Sequence, residues 1–108
     1  MVKVGHVITD PSVGTYCRLT LPGGEKLLVS HETQGKHGKL SVALVKLWGL
    51  SSEPIFDCSL DTPEGQALAA RLAAGAAGAG TPLDALVHRL AQCDSLPAAR
   101  AACQALAG

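Results

Sequence analysis

Alanine is distributed so unevenly along this chain that the asymmetry divides it into two kinds of structure. Residues 62–108 hold sixteen alanines, whereas residues 1–61 hold one, Ala43. Alanine loses no side-chain entropy in a helix, so the C-terminal segment favours helix over strand. The first half holds all three aromatics (Tyr16, Trp48, Phe56) and all five lysines. It also gathers the β-branched residues, which suit a pleated, half-buried surface. Charge does not follow this division: 6 basic and 6 acidic groups precede residue 62, and 3 and 3 follow it. The chain therefore reads as one α+β domain over 1–108, with a β-rich part (1–61) followed by an Ala-rich helical part (62–108).

Alternation predicts five strands. Val2, Val4 and Ile8 mark a first strand near 2–9, closed by the loop residues Asp10, Pro11, Ser12 and Gly14. From Tyr16 to Leu21, Cys17, Leu19 and Leu21 fall on one face and Tyr16, Arg18 and Thr20 on the other. The turn Leu21-Pro22-Gly23-Gly24-Glu25 then predicts a hairpin between 15–21 and Lys26–Ser30. Its physical basis is a proline that presets φ and glycines that accept positive φ. A polar loop, Gln34 to Lys39, leads into Leu40–Trp48, whose near-continuous apolar run predicts a central strand buried on both faces. Ile55–Leu60 is the fifth strand. Five short strands with brief connections predict a curved antiparallel sheet or a small open barrel.

Three helices follow. Asp61 or Thr62 caps the first, with Pro63 at its first position and Glu64 in the positive first turn, and glycines 75, 78 and 80 end it. Thr81-Pro82-Leu83-Asp84 repeats that pattern, and Leu83, Leu86, Val87 and Leu90 lie on one helical face. Ser95 caps a third helix with the stripe Leu96, Ala99, Cys103 and Leu106. The very short link between 81–93 and 96–107 predicts an antiparallel helical pair. Short helices are marginal alone, so these must pack on the sheet or on another chain.

Composition narrows the function classes. A 47% hydrophobic and 17% charged chain is not disordered, and a formal net charge of +0 disfavours a general polyanion binder. No apolar run reaches the length of a membrane span, so no membrane partner is expected. Met1–Asp10 lacks the pattern of a secretory leader, which predicts a cytoplasmic chain with reduced thiols.

The polar candidates carry weak signals. Ser30-x-x-x-x-Gly35-Lys36-His37 approaches a phosphate loop, but Ser30 replaces the first glycine and His37 the Mg²⁺-holding hydroxyl. A strand follows it, so no helix N-terminus faces a phosphate. His31, Glu32 and His37 lack any regular metal-ligand spacing, and Asp84 and His88 sit one helical turn apart as a surface pair. Cys17, Cys58, Cys93 and Cys103 form no C-x-x-C motif, and a Cys93–Cys103 bridge is disfavoured by their offset. No cofactor is implied.

Three functional readings follow, in order. The first is a non-catalytic module that binds a protein partner or a copy of itself through its sheet or helical face. The second is a weak nucleic-acid or anion binder using Lys26, Lys36, His37, Lys39 and Lys46, the segment 26–46 holding four lysines against one acid. Its central feature is a flexible loop over 30–39. The third is a Cys/His enzyme that pairs Cys17 or Cys58 with His6 or His31.

Overall fold

The computed structural model describes every residue except Met1, Gln34, Ala77, Ala79 and Gly108. Its first 59 residues form an open antiparallel sheet of six strands: β1 (Lys3–Val4), β2 (Ile8–Asp10), β3 (Gly14–Thr20), β4 (Lys26–Glu32), β5 (Lys39–Lys46) and β6 (Ser51–Ser59). The order is β1-β3-β4-β5-β6, with β2 also on β3, so β3 to β6 follow chain order while β1 and β2 both lie on the outer side of β3. The sheet does not close.

The single strand expected over 2–9 is present as two pieces on the outer side of β3. Val4 lies opposite Leu19 and Ile8 opposite Tyr16, so four residue steps on one strand match three on the other. This extra residue is a bulge. It places Val4 on the face of Leu19 and Ile8 on the opposite face, with Tyr16. The Gly5 amide still reaches the Arg18 carbonyl at 2.8 Å, and the Cys17 thiol donates to the Gly5 carbonyl at 3.3 Å.

Burial alternates along β3 from Tyr16, along β4 as far as Ser30, and along β5. Cys17, Leu19, Leu27, Val29, Leu40, Val42 and Leu44 are buried on one face, joined by Phe56 of β6. The expectation that Leu40–Trp48 is buried on both faces is corrected here. Ser41, Ala43 and Val45 face the other side and are only half-buried, and the strand ends at Lys46. The apolar run looked two-sided because Ala43 and Val45 are apolar residues of a wetted face. The longest strand is β6, which contains Pro54 and a register shift opposite Val42 and Ala43. A proline is tolerated at this edge because no further strand needs its missing amide.

All three helices start as the sequence predicts. Helix α1 is Pro63–Gly75, α2 is Pro82–Ala91 and α3 is Leu96–Ala107. The Thr62 hydroxyl accepts from the Gly65 amide at 3.0 Å, that of Thr81 from the Asp84 amide at 3.1 Å, and that of Ser95 from the Ala98 amide at 3.2 Å. Each cap satisfies one amide that the helix start leaves without a partner. Gly65 is buried where α1 meets the end of β6; a Cβ there would sit 1.9 Å from the Ser59 carbonyl oxygen. Only glycine allows that approach.

The helices cover one face of the sheet. Leu68 and Leu72 of α1, Leu83, Leu86 and Leu90 of α2, and Cys103 and Leu106 of α3 join the strand residues in one continuous core. A buried leucine contributes about 1.5–3 kcal/mol, so this layer holds the fold together. The last two helices, expected as a pair, do touch, but each packs more against other elements. Helix α2 lies mainly against α1, β3 and β4, whereas α3 turns to β6. An ion pair from Arg100 of α3 to Glu53 of β6 fixes that direction. The Asp84–His88 pairing is replaced as well: the His88 ring nitrogen Nε2 meets the Gln92 side-chain amide at 2.9 Å.

Candidate functional site

The connection between β5 and β6 is the most anomalous surface of the molecule. Leu47, Trp48 and Leu50 project from it with 68%, 102% and 89% of their surface exposed. Leu47 and Trp48 also sit in the left-handed region, at φ 50° and 58°. Left-handed backbone is unfavourable for residues with a Cβ, by about 1–2 kcal/mol each. Gly49 follows at φ 96°, a value natural for glycine alone. A turn built only for connection would place glycine or asparagine at all these positions. Here two bulky apolar residues occupy them and face water.

Next to this tip lies the second face of the sheet, over which no described helix packs. The register sorts it into rows. Ile8, Tyr16, Ser30, Ser41 and Asp57 form one row, and Arg18, Leu28, Ala43 and Pro54 the next. None of these side chains is buried. The Ser30 and Ser41 hydroxyls bond each other at 3.0 Å.

The five basic residues singled out in the sequence do not form one patch. Lys26 and Lys46 stand at the tip end of the sheet, since Lys26 pairs with Val45. Lys36, His37 and Lys39 stand at the other end, six residues along β4, or about 20 Å at strand rise. Two of the five are already paired. Lys39 lies 3.0 Å from Asp57 and 3.4 Å from Glu32, which raises its pKa, and Lys46 lies 2.8 Å from Glu53. Hydrogen bonds from Lys46 and then Arg100 hold the Glu53 carboxyl down at about 2.

The flexible loop expected over 30–39 is corrected in extent, since Ser30–Glu32 belong to β4 and Lys39 opens β5; Gln34 lies outside the described residues, and residues 35–38 are braced. The Asp61 carboxylate accepts from the His37 amide at 2.8 Å and from the Lys36 amide at 3.1 Å. The His31 ring nitrogen Nε2 meets the His37 carbonyl at 2.9 Å from the other side. Gly38, at φ 88°, passes so close to His31 and the Glu32 carbonyl that a Cβ would overlap both. Asp61 therefore occupies the two amides that a phosphate-binding loop would offer, and His31 is engaged in the loop rather than turned to a ligand. Among the described residues no three His, Cys, Asp or Glu side chains are placed to hold a metal.

The thiols are all held in the neutral form. Burial pushes the pKa of Cys17, Cys58, Cys93 and Cys103 upward, that of Cys103 to about 11. A nucleophilic cysteine needs the opposite shift. Cys58 and His31 lie in one row but flank Leu40, two strand spacings or about 10 Å apart. A groove of about 430 Å³ runs between β6, α1 and α3, lined by Phe56, Cys58, Leu68, Arg71 and Leu106. The Arg71 guanidinium donates to the Leu106 carbonyl, so the principal cation of that groove is engaged.

The tip is the feature that reading by periodicity missed, because an apolar run ending in Leu47-Trp48 scores as strand. The signal was Gly49, which interrupts the run beside the chain's single tryptophan. Comparisons with protein-family models, with curated proteins and with solved structures found no match.

Proposed function

We propose that this chain is a non-catalytic docking module that binds a protein partner through the Leu47–Leu50 tip and the adjoining uncovered sheet face. The observation that carries this reading is Trp48, wholly exposed and in left-handed backbone between two exposed leucines. Holding it there costs folding free energy that the chain's own core does not return. A partner that covers the indole returns it, because tryptophan buries about 150–250 Å² in a contact and is favoured at interface centres. The α+β core then serves as the rigid mount for the tip. Four unbridged cysteines fit a working site in a reducing compartment, the cytoplasm.

The test compares native extracts from cells making the wild-type chain or its Trp48→Asp variant. The wild-type chain is expected to elute in a species larger than its own 11.0 kDa, and the variant at monomer size with unchanged circular dichroism. Identical elution of the two overturns the reading.

A further inference from the structure

The uncovered sheet face is dipolar along the strands. At the tip end it carries Lys3, Arg18 and Lys26, which the register places in its two adjoining rows. At the loop end it carries Asp10, Glu32 and Asp57, with Lys39 among them. The middle is apolar or already satisfied: Tyr16, Leu28 and Ala43 are half-buried, and Ser30 and Ser41 share a hydrogen bond. Desolvating that middle leaves neither serine without a partner, which lowers the usual penalty of burying hydroxyls.

We infer that the occupant of this face is a second copy of the chain, packed face to face about a two-fold axis that runs across the strands. This rests on the docking reading above and names its partner. Such an axis lays each strand over its own copy in the opposite direction. On β4, the central strand, it brings Lys26 of one copy over Glu32 of the other. On β3 it brings Arg18 over Tyr16, a cation against an aromatic face. At the edge it brings Lys3 over Asp10. Every contact occurs twice, as an isologous interface requires. Two-fold axes in the other in-plane direction would set like charges together. The axis also carries the Leu47–Leu50 tip of one copy toward the 35–38 loop of the other, at the end of the sheet where Lys36 and His37 project.

Five strands at about 4.8 Å and a β4 length of about 20 Å give a face of about 480 Å² per copy. That is close to the lower limit for a specific contact, so the dimer is reversible and depends on concentration.

Sedimentation equilibrium on the full chain tests this with Lys26→Glu, Glu32→Lys and the Lys26→Glu/Glu32→Lys double variant. Each single variant sets like charges opposite each other and is expected to weaken association by roughly tenfold or more, while the double variant restores it. Arg18→Glu, at an exposed position without an ion pair among the described residues, is an independent check and is expected to weaken association similarly. A wild-type chain that stays monomeric at millimolar concentration overturns the second copy as occupant. If Trp48 is still needed for a larger species in extracts, the docking reading survives with another protein as partner. A dimer indifferent to Arg18→Glu and to both single variants overturns this face as its seat.

Discussion

Asp61 holds the backbone of His37, its carboxylate oxygen accepting the His37 amide at 2.8 Å across 24 residues of sequence. The link joins the start of the helical layer to the β4–β5 connection, so the loop geometry is set by the strand-to-helix corner. Asp61→Ala is expected to cost about 1 kcal/mol, because the lost hydrogen bonds are exposed. It also speeds amide exchange at Lys36 and His37 while leaving β4 protected. Exchange rates by NMR check this; unchanged rates at both amides contradict the brace.

The three hydroxyl caps make equal but separable contributions. Thr62→Ala and Thr81→Ala each remove one cap and are expected to lower stability by about 1 kcal/mol. For a domain of this size that lowers Tm by about 4–8 °C. The two sites share no partner, so the double variant sums the two losses.

Helix α1 offers two glycines with opposite expectations. Gly65→Ala forces a Cβ onto the Ser59 carbonyl and must displace the helix, so it is expected to be severely destabilising. Gly75→Ala meets nothing within 4 Å and reduces only the freedom of the unfolded chain, so stability rises by about 0.4–1 kcal/mol. Chemical denaturation of both variants checks the contrast.

Much of this fold can be read in the sequence, and the reasons differ by element. Thr62-Pro63, Thr81-Pro82 and Ser95 announce helix starts because capping is local chemistry between neighbours. The β3–β4 hairpin is equally legible, since Pro22 and the glycines after it specify its turn. The bulge between Val4 and Ile8 is not, because it is defined by register against β3, a long-range property. The same holds for the split of the lysines: Lys26 and Lys46 are twenty residues apart yet share one end of the sheet, while Lys36 and Lys39 lie between them in sequence and at the far end in space. Ion pairs such as Lys46–Glu53–Arg100 depend on the packing of α3 on β6, which no local pattern encodes.

Stability is expected to fall at both extremes of pH. The Glu53 carboxyl titrates at about 2 in the fold, against 4.5 for the ordinary group. Its contribution is therefore present above pH 4.5 and lost as pH falls toward 2. The Cys103 thiol titrates at about 11, against 9.0. Above pH 9 the unfolded chain releases its proton first, so stability declines as pH rises from 9 toward 11. Thermal unfolding across pH checks both limbs. Glu53→Gln flattens the acid limb and Cys103→Ala the alkaline one; a variant with the wild-type slope contradicts its assignment.

Trp48→Gly separates strain from binding. Glycine relieves the left-handed backbone and removes no buried surface, so the isolated chain gains about 1 kcal/mol of stability. The same change removes the indole and is expected to abolish docking. A variant less stable than wild type contradicts the strain argument.

The central claim is that another protein covers Trp48 when the chain is at work, and the most direct measurement places a photoactivatable amino acid at that position in living cells. Gln104, on an exposed part of α3, is the control site. The account predicts a discrete protein adduct from position 48 and none from 104. If its partner is a second copy, the adduct has twice the mass of the chain. The same adducts from both positions, or adducts from position 48 that contain only lipid, would contradict it.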